Sequence, residues 1–169
     1  MSRLKKLKTK LINREPILST TISNISWSGL AQKAAEFPFD FIIFDLEHGT
    51  LSTETIEESL RICRLTDLPT VVRVPDSTPS YISKILDMGA DGILLPRIES
   101  IEQVETAIRS AKYFPRGRKG CGGFSNFREE DELSVDKYND NRMIFIQVES
   151  EEGLNALSDI LSNHSDEID

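Results

Sequence analysis

The chain has 169 residues, of which 38% are hydrophobic and 28% charged; 28 acidic side chains outweigh 20 basic ones, giving a formal net charge of −8. That balance is a poor match to nucleic acid or an anionic membrane surface, and no apolar run approaches the ~20 residues that cross a bilayer. The length suits one domain with a substantial core. The N-terminus, Met1-Ser2-Arg3-Leu4-Lys5-Lys6-Leu7, lacks the apolar segment of a signal peptide, and Cys63 and Cys121 are too far apart to form a metal-type pair. Both are expected to be reduced thiols in a cytoplasmic protein.

Residues 3–13 place Leu4, Leu7 and Leu11 on one helical face with lysines opposite, the pattern of a short helix docked on the domain, and Pro16 ends it. Residues 17–22 read as a first strand. Trp27, Leu30, Ala31 and Ala34 follow the spacing of a buried helix face, which Pro38 stops. Residues 39–45, rich in Phe and Ile, read as a strand buried on both faces, and polar residues follow at once in Asp45, Glu47 and His48 before Gly49. Ser52 or Thr53 caps the next helix, with Glu54 in its first turn and Ile56, Leu60 and Cys63 inward.

Residues 70–74 form a β-branched third strand that meets Arg73 near its end. Thr78-Pro79 opens a helix with Ile82, Ile85 and Leu86 inward and Gly89 as its stop. Residues 92–95 give a fourth strand. Ser100 and Gln103 form a capping box ahead of Val104, Ala107, Ile108 and Ala111. The loop at 115–123 is cationic and glycine-rich, a pattern that permits either plain turns or an anion cradle. Residues 125–141 are polar, with room for a short helix. Residues 143–149 form another buried strand ending in Gln147 and Glu149. Ser150 caps a last helix carrying Leu154, Leu157, Ile160 and Leu161, and His164 falls in a polar tail expected to face solvent.

Strand and helix alternate throughout, the signature of repeated βαβ units and a parallel sheet. No Gly-x-Gly-x-x-Gly follows the first strand, so a dinucleotide fold is disfavoured against a (β/α) barrel. His48, Arg73 and Glu149 each lie at or near the carboxyl end of a different strand, and in a barrel those ends converge on one mouth. Taken singly, each has a structural explanation: an ion-pair partner, a surface histidine, a solvated strand end. Their joint placement favours a site.

The stretch Phe39-Asp40 through Asp45-Leu46-Glu47-His48-Gly49 resembles the metal-dependent pyruvate aldolases of the HpcH/HpaI family, which are (β/α)8 barrels. So do Val71-Val72-Arg73-Val74-Pro75, Ile85-Leu86-Asp87-Met88-Gly89-Ala90, Leu95-Pro96-Arg97-Ile98-Glu99, the Tyr113-to-Gly120 stretch and Gln147-Val148-Glu149, in the same order. The resemblance implies that His48 is the catalytic base and that Arg73 stabilises the enolate. It further implies that Asp87 pairs with the histidine, that Gln147 contacts substrate, and that Glu149 is one of two carboxylate ligands to a divalent metal (Mg2+, Mn2+ or Co2+). The second ligand belongs to a Gly-Pro-x-Asp-Leu-Ser motif that this chain lacks.

The implied reaction is cleavage of a 2-keto-4-hydroxy acid to pyruvate and an aldehyde, and the implied assembly is a homo-oligomer. No lysine stands at a strand end in a Schiff-base position, which disfavours an imine route. Two alternatives stay open: a lyase acting on acyl-CoA esters, as in the citrate-lyase-like branch, and a non-catalytic fragment or assembly subunit. Five clear strands, with a sixth short one near 119–123, fall short of the eight that close such a barrel. The expected architecture is therefore an α/β, TIM-barrel-type single domain over residues 1–169, truncated after about six βα units.

Overall fold

In the computed structural model, which describes residues 1–122 and 127–169, strands and helices alternate as the sequence patterning requires. The order is α1 (Arg3–Asn13), β1 (Ser19–Ile22), α2 (Gly29–Ala35), β2 (Phe41–Asp45), α3 (Thr53–Leu65), β3 (Thr70–Arg73), α4 (Pro79–Asp87), β4 (Gly92–Leu95), α5 (Ile101–Ala111), a 3-10 turn (Glu129–Asp131), α6 (Val135–Asn141), β5 (Met143–Ile146) and α7 (Glu151–His164). The five strands form one parallel sheet in the order β1-β2-β3-β4-β5. Such stepwise progression is that of a singly wound barrel wall; a doubly wound sheet reverses direction at a switch point.

Local signals fix the helix boundaries. The Ser52 hydroxyl accepts from the Thr55 N–H and starts α3, and Ser150 does the same for Gly153 in α7. At α5 the Gln103 side chain accepts from the N–H groups of Glu99 and Ser100, closing the capping box. Pro79 opens α4, and Gly89 ends it at φ 105, a conformation that suits glycine.

Alternation along the strands divides the core in two. Ile42, Phe44, Val72, Ile93, Leu95 and Ile144 point to the face covered by the crossover helices, together with Ile56, Leu60, Cys63, Ile82 and Val104. On the opposite face Phe41, Val71 and Met143 meet Leu4 and Leu7 of α1, which are fully buried. Thus α1 is a plug against the inner face, and Arg3 ties it down by donating to the carbonyls of Ala35, Phe37 and Phe39. At the amino ends of the strands lies a buried charged network. Asp91 receives two hydrogen bonds from Arg128 and one from Arg142, which also pairs with Asp131. Asp91 further accepts from the N–H and hydroxyl of Thr70.

Several expectations are corrected. No strand forms over residues 119–122, and position 123 lies outside the described residues. Since β4 pairs directly with β5, the sheet has no place for a strand between them. Trp27 is exposed because α2 starts only at Gly29, and the indole folds over that glycine's Cα instead of entering the core. In α7 the buried line runs through Gly153 and Ile160, about one residue around from Leu154 and Leu161, which are exposed. His164 is not a solvent-facing tail residue: its Nε2 is buried, 3.6 Å from the Glu105 carboxylate.

The cationic loop is used internally. Arg116 is held by Glu167 and Asp140, while Lys119 is buried against Asp87 and lies 5.1 Å from the centre of the Tyr113 ring. Cys63 is a core thiol whose pKa burial, with the neighbouring Asp91 charge, pushes up to about 12; Cys121 is exposed. Among the described residues, no helix is long and apolar enough to cross a membrane.

Candidate active site

Parallel register puts Asp45 directly beside Arg73 at the carboxyl ends of β2 and β3. Both belong to the parity of the α1-covered face, which continues the inward series Phe41, Ile43 on one strand and Val71 on the next. The guanidinium closes a fork on the carboxylate, with Nε to Oδ1 at 2.9 Å and Nη2 to Oδ2 at 2.7 Å. Asp45 Oδ1 also accepts from the N–H groups of Glu47 and His48. Burial alone would raise the pKa of this carboxyl, but the hydrogen bonds from Arg73, His48 and Glu47 outweigh it and hold it at about 2. The bond to Asp45 correspondingly raises the pKa of Arg73, against the cost of burial.

The chain turns sharply after His48. A Cβ on Gly49 would stand 2.1 Å from the Asp45 carbonyl and 2.5 Å from that of Ser23, so the close approach requires glycine. The turn leaves the His48 ring 72% exposed at the mouth, with Nε2 3.5 Å from Glu47 Oε2. The Glu47 side chain is only 8% exposed, and its Oε2 makes no hydrogen bond among the described residues. Two guanidiniums flank it: Arg73 Nη1 at 3.4 Å from Oε2 and Arg97 Nε at 3.5 Å from Oε1.

Beyond β4, Arg97 adopts a left-handed backbone at φ 49. Its N–H donates to Glu149 Oε1 at 3.1 Å, and Nη2 reaches the Pro75 carbonyl at 3.4 Å. Gln147, just past β5, is fixed through its main chain, donating to Leu95 O and accepting from the Ile98 N–H. Its side-chain Oε1 is buried without a hydrogen bond among the described residues.

Four of the sequence-predicted residues, His48, Arg73, Gln147 and Glu149, are therefore gathered at the carboxyl end of the sheet, and Arg73 feels the charge of Glu149. Asp87 is not. It is the last residue of the nine-residue α4, which carries the chain about 13 Å back toward the amino ends of the strands. There it pairs with Lys119. Within one chain the expected Asp87–His48 pair does not form. Asp45, Glu47 and Arg97 are site residues that the motif reading left without a role. The signal for Asp45 is its shared strand parity with Arg73.

As a metal site the mouth offers hard oxygen donors. Glu149 presents a carboxylate whose Oε1 is steadied by a main-chain N–H, the buried Gln147 Oε1 lies at the same strand end without a hydrogen bond among the described residues, and Glu47 stands past β2, flanked by Arg73 and Arg97. Carboxylate and amide oxygens suit Mg2+ or Mn2+. Among the described residues no group of three or more His, Cys, Asp or Glu could hold a metal.

The chain is similar to several known proteins. A hydroxypyruvate/pyruvate aldolase of Roseovarius nubinhibens is 30% identical over 145 residues, covering 80% of this chain and 56% of the relative. A 2-keto-3-deoxy-L-rhamnonate aldolase of Escherichia coli is 28% identical over 138 residues, covering 79% and 51%. The chain thus spans about half the length of the curated relatives it matches. The crystal structure of an HpcH/HpaI aldolase from Desulfitobacterium hafniense superimposes with a TM-score of 0.83 at 26% identity, over 92% of this chain and 61% of that one. The family model for HpcH/HpaI aldolase/citrate lyase matches residues 23–169, and the chain belongs to that family.

Proposed function

We propose that the protein carrying this chain is a divalent-metal-dependent aldolase that reversibly cleaves a 2-keto-4-hydroxy acid to pyruvate and an aldehyde. The observation that carries this reading is the convergence of His48, Arg73, Gln147 and Glu149 on one strand-end mouth, with Arg73 locked by Asp45. It is supported by the relatives, which include a hydroxypyruvate/pyruvate aldolase and a 2-keto-3-deoxy-L-rhamnonate aldolase.

In the cleavage direction His48 takes the proton of the 4-hydroxyl as the C3–C4 bond breaks. The bonding pair passes to C3, releasing the aldehyde and leaving the enolate of pyruvate. Arg73 presents its remaining Nη1 edge to that developing charge without having to reorganise, because Asp45 holds the rest of the guanidinium. A proton then returns to C3. Glu149 would hold the metal, with Gln147 beside it contacting the keto acid. When bound, Mg2+, Mn2+ or Co2+ supplies Lewis-acid stabilisation of negative charge on the keto acid. Glu47, between Arg73, Arg97 and His48, keeps the three cationic or titratable groups at fixed spacing. Completion of the metal shell and assembly into a homo-oligomer belong to the whole protein.

The test follows pyruvate methyl protons by NMR in D2O with Mn2+, on the protein at its relatives' full length. Exchange of the methyl protons that stops with chelator is expected. A protein that leaves pyruvate unexchanged while binding an acyl-CoA ester would overturn the reading.

A further inference from the structure

We propose that Arg97 is a specificity residue that binds an anionic group at the end of the substrate remote from the keto acid, so that the preferred aldehyde carries a carboxylate or phosphate. This rests on the proposed aldolase function and adds the class of the second substrate.

The two arginines at the mouth differ in depth and in commitment. Arg73 stands on the last position of β3, its side chain 19% exposed, with Nε and Nη2 spent on Asp45. It is the inner cation, and its Nη1 edge, 3.4 Å from Glu47 Oε2, is the one assigned above to the enolate. Arg97 stands two residues beyond β4, and its side chain is 65% exposed. Its side-chain contacts are long: 3.4 Å to the Pro75 carbonyl and 3.5 Å to Glu47. These contacts aim the guanidinium across the ends of β2 and β3 without consuming it. A substrate whose keto acid lies against Gln147, Glu149 and Arg73 extends outward, and Arg97 is on that path.

Two further facts separate this role from that of a structural clamp. Arg97 holds a left-handed backbone at φ 49, a conformation that is unfavourable for a residue with a Cβ. Glycine would make the same main-chain bond to Glu149 without that cost, so the main chain alone does not require arginine. The charge balance points the same way. Asp45 is paired with Arg73, and Glu47 is shared between Arg73 and Arg97, which leaves the exposed Arg97 guanidinium as the outermost cation of the mouth, with Asp76 the other carboxylate that feels its charge. A planar guanidinium matches carboxylate and phosphate geometry through paired N–H donors.

The experiment compares wild type with Arg97→Met, which preserves the N–H on Glu149. Aldol addition to pyruvate is measured with three acceptors: butanal, succinic semialdehyde and glyceraldehyde 3-phosphate. In wild type kcat/KM is expected to favour at least one anionic acceptor over butanal, and the winner separates carboxylate from phosphate. In the variant that preference falls roughly 10- to 100-fold, the range of a lost charge-assisted contact. An unchanged preference, or none in wild type, overturns the proposal. Pyruvate proton exchange, which needs no aldehyde, reads the aldolase function separately. If exchange is absent that function falls, and the Arg97 assignment is decided by calorimetric titration of succinate and phosphoglycolate. Binding at least tenfold weaker in Arg97→Met supports it, and equal or absent binding in both proteins overturns it.

Discussion

Asp45 and Arg73 are register partners on neighbouring parallel strands, and their side chains close a two-bond fork at 2.9 and 2.7 Å. The same carboxylate receives the N–H groups that lead into His48. One buried aspartate thus orients both the Arg73 guanidinium and the turn that carries His48. Asp45→Asn keeps the shape but removes the charge that fixes the fork. It is expected to lower kcat of the full-length protein by about 10-fold or more while leaving the circular dichroism spectrum native. A kcat within twofold of wild type would show that Arg73 is held by other means.

The Asp45 pKa has a consequence for stability. Its folded value of about 2 lies below the unfolded value near 3.8, so the folded state favours the ionised form. The contribution, on the order of 2 kcal/mol, is present above about pH 4 and lost as pH falls toward 2. Asp91, also held below its ordinary value by Arg128 and Arg142 despite the cost of burial, acts in the same direction. Acid unfolding followed by fluorescence should show a steeper loss of stability below pH 4 for wild type than for Asp45→Asn.

In the proposed mechanism His48 moves the substrate proton. His48→Ala is expected to cut pyruvate release by roughly 10²-fold or more, the range of a lost general base. A coupled dehydrogenase assay reads it directly, and unchanged turnover would remove His48 from the chemistry. Glu149→Gln tests the metal. Titration of Mn2+ by calorimetry should show at least tenfold weaker binding than wild type, and equal affinity would place the ion elsewhere.

Much of this arrangement is readable in the residues. The strand cores at Phe41–Asp45 and Gly92–Leu95, the caps at Ser52, Ser100 and Ser150, and the turn at Gly89 come from short-range patterns that local physics enforces. What local pattern does not carry is register across strands and depth along a helix. Asp45 reads as a strand terminus until β2 and β3 are aligned, when it becomes the partner of Arg73. Asp87 reads as a site carboxylate until α4 is given its length, which takes it to Lys119. Arg128 and Arg142 give no signal either, since their partner Asp91 lies 37 and 51 positions away.

That buried network sets the stability of the other end of the sheet. Asp91 is fully buried and is the shared acceptor of Arg128, Arg142 and Thr70. Removing Asp91 leaves the buried Arg128 guanidinium with only the more distant Asp67, at 3.7 Å, and Arg142 with Asp131, and loss of one partner of a buried pair costs about 3–5 kcal/mol. Asp91→Ala is expected to destabilise by that amount in urea unfolding, with pyruvate exchange retained in the surviving folded fraction. A change below 1 kcal/mol would show that water replaces the carboxylate.

The sheet edges give the final prediction. Among the described residues β1 pairs only with β2, leaving its outer backbone groups unmatched by a strand. Beside it a cleft of about 490 Å³ is lined by Thr21, Ile25, Leu30, Phe37 and neighbouring residues. Ile25 and Phe37 are more than half exposed there. On the opposite edge Asp169 bonds to both the N–H and the carbonyl of Ile144 in β5, while Leu154 and Leu161 of α7 stay in water. Parallel strands of this apolar character are normally covered on both faces, and an open edge is a template for pairing. Expressed alone, residues 1–169 are expected to associate: light scattering should give a mass above 19.1 kDa, and a hydrophobic dye should bind. Addition of Mn2+ should not restore aldolase turnover, because Glu149 is then the chain's one carboxylate proposed as a metal ligand. A stable 19.1 kDa monomer with turnover would mean that the edges are self-sufficient and that the metal shell is completed within these residues, with Glu47 the first candidate to examine.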